Sequence, residues 1–290
     1  MRNTISARLF NTLQKGKEQL GTEALRKISC FVESQRTAEG AFKDKSGKAD
    51  LYYTVFGWML SYVLGVRMDA AKMNAYLMQQ HVESLDLIHY AAYLRCKMIS
   101  RLVKGGKSGL LLWALFSTGS KALDKNRNLP HNDPQSPYTQ FIRLSLQEDS
   151  GWRIKEKKKI TDSLAGYHLP DGGYMNTTGG LTATTNATVA ALSVVGQLTG
   201  YKGNEDVLFL RDRQHATGGF SAAAASPVPD MLSTATSLFI LSCYGIAPKY
   251  PVRDFIEAHW LDSGGFAATL LEEQSDVEYT FYGLLALGSI

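Results

Sequence analysis

Two kinds of helical pattern alternate along the chain. Residues 20–36 place apolar side chains three and four positions apart, which predicts an amphipathic helix with one buried face. Residues 50–65 are nearly all apolar, which predicts a helix shielded on every side. The same order returns further along, at residues 204–214 with 230–245 and at residues 251–259 with 276–287. Each copy therefore pairs an outer amphipathic helix with an inner apolar helix.

A glycine-aromatic corner separates the two helices of each pair. The aromatic residues Tyr174, Phe220 and Phe266 are 46 positions apart each time, and each follows a Gly-Gly pair. A further copy ends at Phe42, three steps of 44 before Tyr174. A constant step of this size is typical of repeat proteins, in which each unit buries its apolar face against its neighbours. The corner glycine permits a positive φ after the outer helix.

A second repeated pattern, D-x-x-x-T, begins the apolar helices. It starts at Asp50, Asp230 and Asp276, and the distance from the first to the last copy is five steps of about 45 residues. The chain therefore contains six units. Because amphipathic helices belong outside and all-apolar helices inside, we predict an all-α fold, an (α/α)6 barrel or toroid of six helical-hairpin repeats.

The remaining units are degenerate copies of the same pair. They are predicted at residues 70–82 with 84–104, 107–123 with 135–148, and 153–168 with 181–200. We predict one toroid domain over residues 1–290, in which residues 1–19 contain an extra N-terminal helix that closes one end. The longest irregular connection, residues 124–137, is expected to be mobile or to contact a partner.

Composition and charge exclude several classes of protein. The chain is 44% hydrophobic and 20% charged, with a formal net charge of +4, which does not favour nucleic-acid binding. Its three cysteines are widely spaced within apolar patterns, so they predict neither a disulfide framework nor a metal site. There is no apolar leader and no stretch long enough for a transmembrane segment. We expect a cytoplasmic protein.

The starts of the inner helices supply the candidate site residues. Inner helices that begin at one mouth of a barrel would bring acidic and phenolic groups from distant units together around a central cavity. Asp230, Asp276 and Glu278 are the candidate catalytic acids. The candidate substrate-binding residues are Asp50, Tyr52, Tyr53, Trp58, Tyr279 and Tyr282. The alternative for the aspartates is N-capping of the inner helices, and for the aromatic residues ordinary core packing.

At these residues the chain resembles the prenyltransferase and squalene-cyclase repeat family. The unit of that family runs from an outer helix ending in Q-x(3–5)-GG-F to an inner helix beginning D-x-x-[YHS]-T. Residues 28–65, 209–245 and 255–288 carry the resemblance well, and residues 164–200 less completely. The resemblance implies the toroid fold and an isoprenoid substrate. It does not by itself specify an activity, because the family includes protein prenyltransferase β subunits, terpenoid cyclases and members without either chemistry.

The chain departs from the catalytic motifs of that family. Asp230 matches the zinc-binding aspartate of the β subunits, but Leu232 stands where the resemblance implies a cysteine ligand. Tyr279 stands where it implies a histidine ligand. Zinc is therefore not expected as a cofactor, since zinc activation of a thiol substrate needs those ligands. The D-x-D-D motif of the cyclases is absent, and magnesium remains open as a cofactor.

Three functions remain open from the sequence. The first is an isoprenoid-handling protein that binds a prenyl chain or prenyl diphosphate in a central apolar cavity, as a prenyltransferase-like transferase, a terpenoid cyclase or a binding protein. The second is a non-catalytic interaction module, which would meet a second protein subunit through residues 124–137 or the basic run at residues 155–159. The third is a carbohydrate-active enzyme, which would need two carboxylates across the mouth of the barrel.

Overall fold

Helices make up most of the described part of the chain. The computed structural model describes residues 4–105 and 135–290, apart from residues 150, 152, 153, 155, 171, 203 and 204. Strands occur there only as a short antiparallel ribbon, β1 (Phe42–Lys43) and β2 (Ala49–Asp50). The α-helices in chain order are α1 (Ile5–Glu18), α2 (Thr22–Ser34), α3 (Leu51–Leu64), α4 (Ala70–Met78), α5 (Leu87–Gly105), α6 (Pro137–Asp149), α7 (Lys157–Ser163), α8 (Thr185–Thr199), α9 (Glu205–Asp212), α10 (Met231–Cys243), α11 (Arg253–Ala258) and α12 (Val277–Gly288).

Six of these helices form a closed inner ring. Helix α3 contacts α5, and the contacts continue from α5 to α6, α8, α10 and α12 in turn. Helix α12 then contacts α3, so that the last unit meets the first. Helices α2, α4, α7, α9 and α11 form the outer layer, each against the inner helix of its own unit or of a neighbouring one. These contacts confirm the prediction of an all-α toroid. The outer helix expected at residues 107–123 and most of the connection at residues 124–137 lie outside the described residues.

The D-x-x-x-T pattern has a direct structural explanation. Each aspartate caps its inner helix: the Asp276 carboxylate, for example, accepts the backbone N–H of Tyr279 at 2.8 Å. The threonine lies one turn later, and its hydroxyl accepts the backbone N–H of the corner aromatic residue. These bonds join Thr54 to Phe42, Thr234 to Phe220 and Thr280 to Phe266, at 2.9 to 3.2 Å. In the fourth unit, where Thr184 replaces the aspartate as the cap of α8, Thr188 makes the same bond to Tyr174 at 2.9 Å. The pattern thus fixes each corner to its inner helix.

The corner glycines let neighbouring units approach closely. Gly264 has a φ of +91°, and a Cβ atom there would lie 2.5 Å from the backbone oxygen of Lys27 in the first unit. The next residue, Gly265, leaves room for the ring of Phe31, also in the first unit. Both glycines belong to the sixth unit, so the outer layer also closes from the last repeat onto the first.

Helix α1 lies across one end of the ring. It contacts α12, α3 and α6. Its Lys17 side chain donates to the backbone oxygen of Val63 at 2.9 Å, near the C-terminal end of α3. A Cβ atom on Gly16 would lie 2.0 Å from the backbone oxygen of Leu284, so the two backbones are nearly in contact. The extra helix expected near the N-terminus thus spans residues 5–18 and covers the C-terminal ends of inner helices.

The apolar core fills the space between the inner and outer layers. The rings of Phe42, Phe220 and Phe266 are among the largest fully buried side chains. The outward side of the inner helices contributes Trp58, whose indole N–H donates to the backbone oxygen of Gly40 at 2.9 Å. None of the helices in the described ranges is both long and apolar enough to cross a membrane.

Candidate functional site

A cavity of about 660 Å³ occupies the centre of the inner ring. Its walls come from all six inner helices and from α1, and most of the lining is aliphatic or aromatic. Representative apolar residues of the wall are Phe10, Val55, Phe56, Met59, Ile99, Phe141, Val189, Leu232, Phe239, Phe281 and Leu285. Cavities of this size and character bind small apolar ligands.

The two ends of the cavity differ. The mouth lies at the N-terminal ends of the inner helices, where Tyr52, Tyr138 and Thr184 line it. The base lies at the opposite end, where Ser6 and Ala7 of α1 cross the ring. Because α1 covers this base, the described residues leave the mouth as the route by which a ligand would reach the cavity.

The first and sixth units bring acidic and phenolic groups together at the mouth. The hydroxyl of Tyr52 donates to the Glu278 carboxylate at 2.6 Å, although the two residues are 226 positions apart in the chain. Burial raises the pKa of Glu278 above its ordinary value and also raises the pKa of Tyr52. Tyr52 and Tyr282 line the cavity. Of the candidate acids, Glu278 is thus the one that is hydrogen-bonded to a cavity-lining side chain.

Asp276 and Asp230 have other immediate partners. Asp276 caps α12 and lies 3.9 Å from the Lys45 ammonium, which reaches across from the loop between β1 and β2. Asp230 caps α10, and its second oxygen accepts the Ser233 hydroxyl at 2.7 Å. Burial raises the pKa of both carboxyls. Neither aspartate is part of the cavity lining described above.

The other candidate binding residues surround this mouth or lie outside it. Tyr53 and Tyr279 belong to the same seam between the first and sixth units, and burial raises the pKa of Tyr279 to about 12. Asp50 caps α3 and lies 4.0 Å from the His89 ring. Trp58 packs edge-on against Tyr76 on the outward side of α3, away from the cavity.

A buried polar cluster lies at the base of the cavity, and sequence analysis did not single it out. Asp149 in the last turn of α6 accepts the Ser6 hydroxyl at 2.8 Å and lies 4.0 Å from the Arg95 guanidinium. Arg95 also donates to the Ser145 hydroxyl at 2.7 Å. Burial outweighs the attraction of Arg95 and raises the pKa of Asp149 to about 6. All but Ser145 line the cavity.

The sequence does carry a signal for this cluster. Arg95 directly follows the apolar segment Ala91-Ala92-Tyr93-Leu94 within an inner helix, where an unpaired charge would be costly. An arginine in such a position requires a nearby acid, and Asp149 is the acid at the end of the next inner helix. Both residues belong to degenerate units, so the repeat pattern did not point to them.

The donor set at the mouth does not match the zinc ligands that the resemblance implies. Among the described residues, no three histidine, cysteine, aspartate or glutamate side chains are arranged to hold a metal ion. Leu232 contributes an apolar side chain to the cavity wall at the position where the resemblance implies a zinc-binding cysteine. Tyr279 offers a phenol where the resemblance implies an imidazole. The residues present do not fit zinc.

Solved structures share the fold of this chain at low sequence identity. The protein geranylgeranyltransferase-I of Candida albicans, complexed with GGPP, superposes with a TM-score of 0.56 and 10% identity, covering 98% of this chain and 90% of that chain. A protein from Actinoplanes superposes with a TM-score of 0.54 and 12% identity, covering 92% of this chain and 97% of that chain. At this identity the likeness establishes the prenyltransferase-like fold alone. No protein-family model and no curated protein sequence matches the chain.

Proposed function

We propose that this protein binds an isoprenoid chain in its central cavity, with any diphosphate group of the ligand at the mouth. The observation that carries the proposal is the cavity of about 660 Å³, whose wall is mostly apolar and which is closed at its base by α1. Burying the methyl and methylene groups of a prenyl chain in such a wall supplies the binding free energy. The geranylgeranyltransferase neighbour, complexed with GGPP, supports this choice of ligand.

The charges at the mouth decide what form of isoprenoid would bind. Glu272, Asp276, Glu278 and Asp50 face one nearby lysine, Lys45, at the seam between the first and sixth units. This excess of carboxylates repels an anion. A prenyl diphosphate would therefore need a divalent cation such as magnesium, whereas a prenyl alcohol would not.

Glu278 is the residue we propose for any chemistry on the bound ligand. It is the candidate acid joined to the cavity wall, through Tyr52. Its raised pKa keeps a larger share of the carboxyl protonated near neutral pH than an exposed glutamate would have. Asp230 and Asp276 are proposed to act as helix caps that shape the mouth.

Direct binding measurements test this proposal. Farnesol, geranylgeraniol and their diphosphates would be titrated into the protein by calorimetry, with and without magnesium, and the mixtures analysed for products by mass spectrometry. We expect the alcohols to bind without magnesium and the diphosphates to bind only with it. Absence of heat and of any thermal shift with all four ligands would exclude an isoprenoid ligand.

A variant within the cavity gives the matched control. Val189→Arg would place a charge in the apolar wall and should abolish binding, because an unpaired charge cannot be buried beside a prenyl chain. Leu181→Arg changes a side chain that is 95% exposed and should bind as the unmodified protein does. Equal loss of binding in both variants would contradict the assignment of the ligand to the cavity.

A further inference from the structure

The base of the cavity is polar although the rest of its wall is apolar. Asp149 and Ser6 meet there, at the end of the cavity that α1 covers, and the Arg95 guanidinium reaches Asp149 from the middle of α5. Tyr138 and Asp149 are eleven residues apart on α6, which corresponds to about 16 Å along a helix axis. A chain that entered through the mouth would therefore present its far end to this cluster.

The cluster has unused hydrogen-bonding capacity. The side chain of Asp149 is only 2% exposed, and its Oδ1 atom has no hydrogen-bond partner among the described residues. Arg95 donates to the Ser145 hydroxyl at 2.7 Å through Nη2, and its side chain, which is 23% exposed, borders the cavity beside this carboxylate. Buried polar groups of native proteins are nearly always paired, so the free Asp149 oxygen indicates a missing partner.

The chemistry of the free atoms specifies that partner. Asp149 Oδ1 needs a donor, and the Arg95 guanidinium beside it has further N–H groups that can donate. A hydroxyl group supplies both at once. A ketone could accept from Arg95 but could not donate to the carboxylate, and an ammonium group would be repelled by the guanidinium.

We propose that the cavity selects an isoprenoid that carries a hydroxyl group at the end of the chain remote from the mouth, and that Arg95 and Asp149 bind this hydroxyl. This inference rests on the proposed function, because it specifies the class of ligand for the same cavity. The hydroxyl donates to Asp149 and accepts from Arg95. Ser6 serves a separate purpose, since its bond to Asp149 ties α1 to the end of α6.

Paired ligands test the proposal. Farnesyl and geranylgeranyl diphosphates would be compared with their ω-hydroxylated forms in the presence of magnesium, so that two chain lengths sample the depth of the cavity. We expect the hydroxylated form of at least one chain length to bind at least tenfold more tightly than its plain counterpart. This preference reflects hydrogen bonds to two charged groups.

Two variants separate recognition from structural support. Asp149→Asn keeps the shape of the side chain but removes its charge, and the preference for the hydroxylated over the plain ligand should fall at least fivefold. Ser6→Ala removes the tie to α1 and should keep the preference even if the melting temperature falls. A preference lost equally in both variants would mean that the cluster only supports α1.

The outcomes distinguish this inference from the proposed function. If plain ligands bind and the hydroxylated forms bind equally or more weakly, the polar base does not recognise a hydroxyl and only this inference fails. If no plain or hydroxylated chain binds, the proposed function fails and the inference fails with it. If ω-hydroxylated chains alone bind, both stand, because binding then depends on the hydroxyl.

Discussion

Single hydroxyl groups hold four of the repeats of this protein in register. The Thr280 hydroxyl accepts the backbone N–H of Phe266, and the same bond recurs in three other units. Each of these N–H groups is buried, so it depends on the threonine for a partner. The recurring threonine is therefore required by the corner itself rather than by the ligand.

Thr280→Val should lower the free energy of unfolding by about 1–3 kcal/mol, because it leaves the N–H of Phe266 buried without an acceptor. Thr199→Val is the matched control, since Thr199 is exposed and its hydroxyl donates to backbone carbonyls, those of Val195 and Gly200, rather than accepting a buried N–H. Chemical denaturation of the two variants measures the difference. Equal losses would show that the bond at the corner contributes nothing specific.

Asp149 should give the protein a particular pH dependence. Its pKa rises from 3.8 to about 6 in the folded state, so the folded protein holds this proton to higher pH than the unfolded chain does. The associated stabilisation is therefore present below pH 4 and is lost as the pH rises to about 6. The loss amounts to about 3 kcal/mol.

Denaturation of the unmodified protein and of Asp149→Asn between pH 4 and pH 7 measures this effect. The variant lacks the titrating group, so its stability should fall less over this range. Burial also raises the pKa of the neighbouring Glu148, whose contribution is common to both proteins. Parallel curves for the two proteins would contradict the raised pKa of Asp149.

At the scale of helices, α1 is the element that closes the cavity. Gly16 brings its backbone against Leu284 of α12, and Gly288 of α12 in turn lies against the backbone oxygen of Thr12. Such mutual glycines let two helices approach more closely than any side chain allows. The position of α1 depends on this contact together with the Ser6 to Asp149 bond.

Gly16→Ala should displace α1 and lower the free energy of unfolding. The new Cβ would lie 2.0 Å from the Leu284 oxygen, and the cost of about 1–3 kcal/mol should exceed the gain in helix propensity of about 1 kcal/mol. Gly166→Ala, where nothing lies within 4 Å, is the control.

The same displacement should open the base of the cavity. A fluorescent dye that binds apolar cavities should therefore enter Gly16→Ala faster than the unmodified protein. Unchanged dye entry would mean that α1 still covers the base.

The sequence predicted the repeated elements but not the non-repeated ones. The corners at Phe42, Phe220 and Phe266 and the caps at Asp230 and Asp276 were evident because the same packing problem recurs every unit. The outward orientation of Trp58 was not evident from the sequence, because an inner helix is apolar on both its cavity side and its outward side. Arg95 and Asp149 pair across two units whose repeat pattern is weak, so spacing could not relate them.

At the scale of the whole molecule, the ring depends on one seam. Helices α3 and α12 contact each other, and Gly264 of the sixth unit lies against Lys27 of the first. The same seam holds Tyr52 against Glu278 at the mouth. The closed ring and the arrangement of the mouth therefore depend on the same few contacts.

Gly264→Ala tests this seam directly. Its control is Gly65→Ala, because both glycines have positive φ, at +91° and +79°, but only Gly264 has a backbone within reach of a new Cβ. In both variants an alanine must adopt a positive φ, which lowers stability in the same way. The difference between their free energies of unfolding therefore measures the effect of the contact between the units. We expect Gly264→Ala to be less stable than the control by about 1–3 kcal/mol in chemical denaturation. Equal stabilities would show that the outer layer does not close there.

The meeting of α12 with α3 sets the order of events during synthesis. A ribosome makes residues 51–64 long before residues 277–288, and until then the apolar flank of α3 lacks its final neighbour. The nascent polypeptide must carry this uncovered flank through the translation of more than 200 residues. Closure of the ring is consequently a post-translational step. Chaperones that shield such flanks should raise the yield of folded protein.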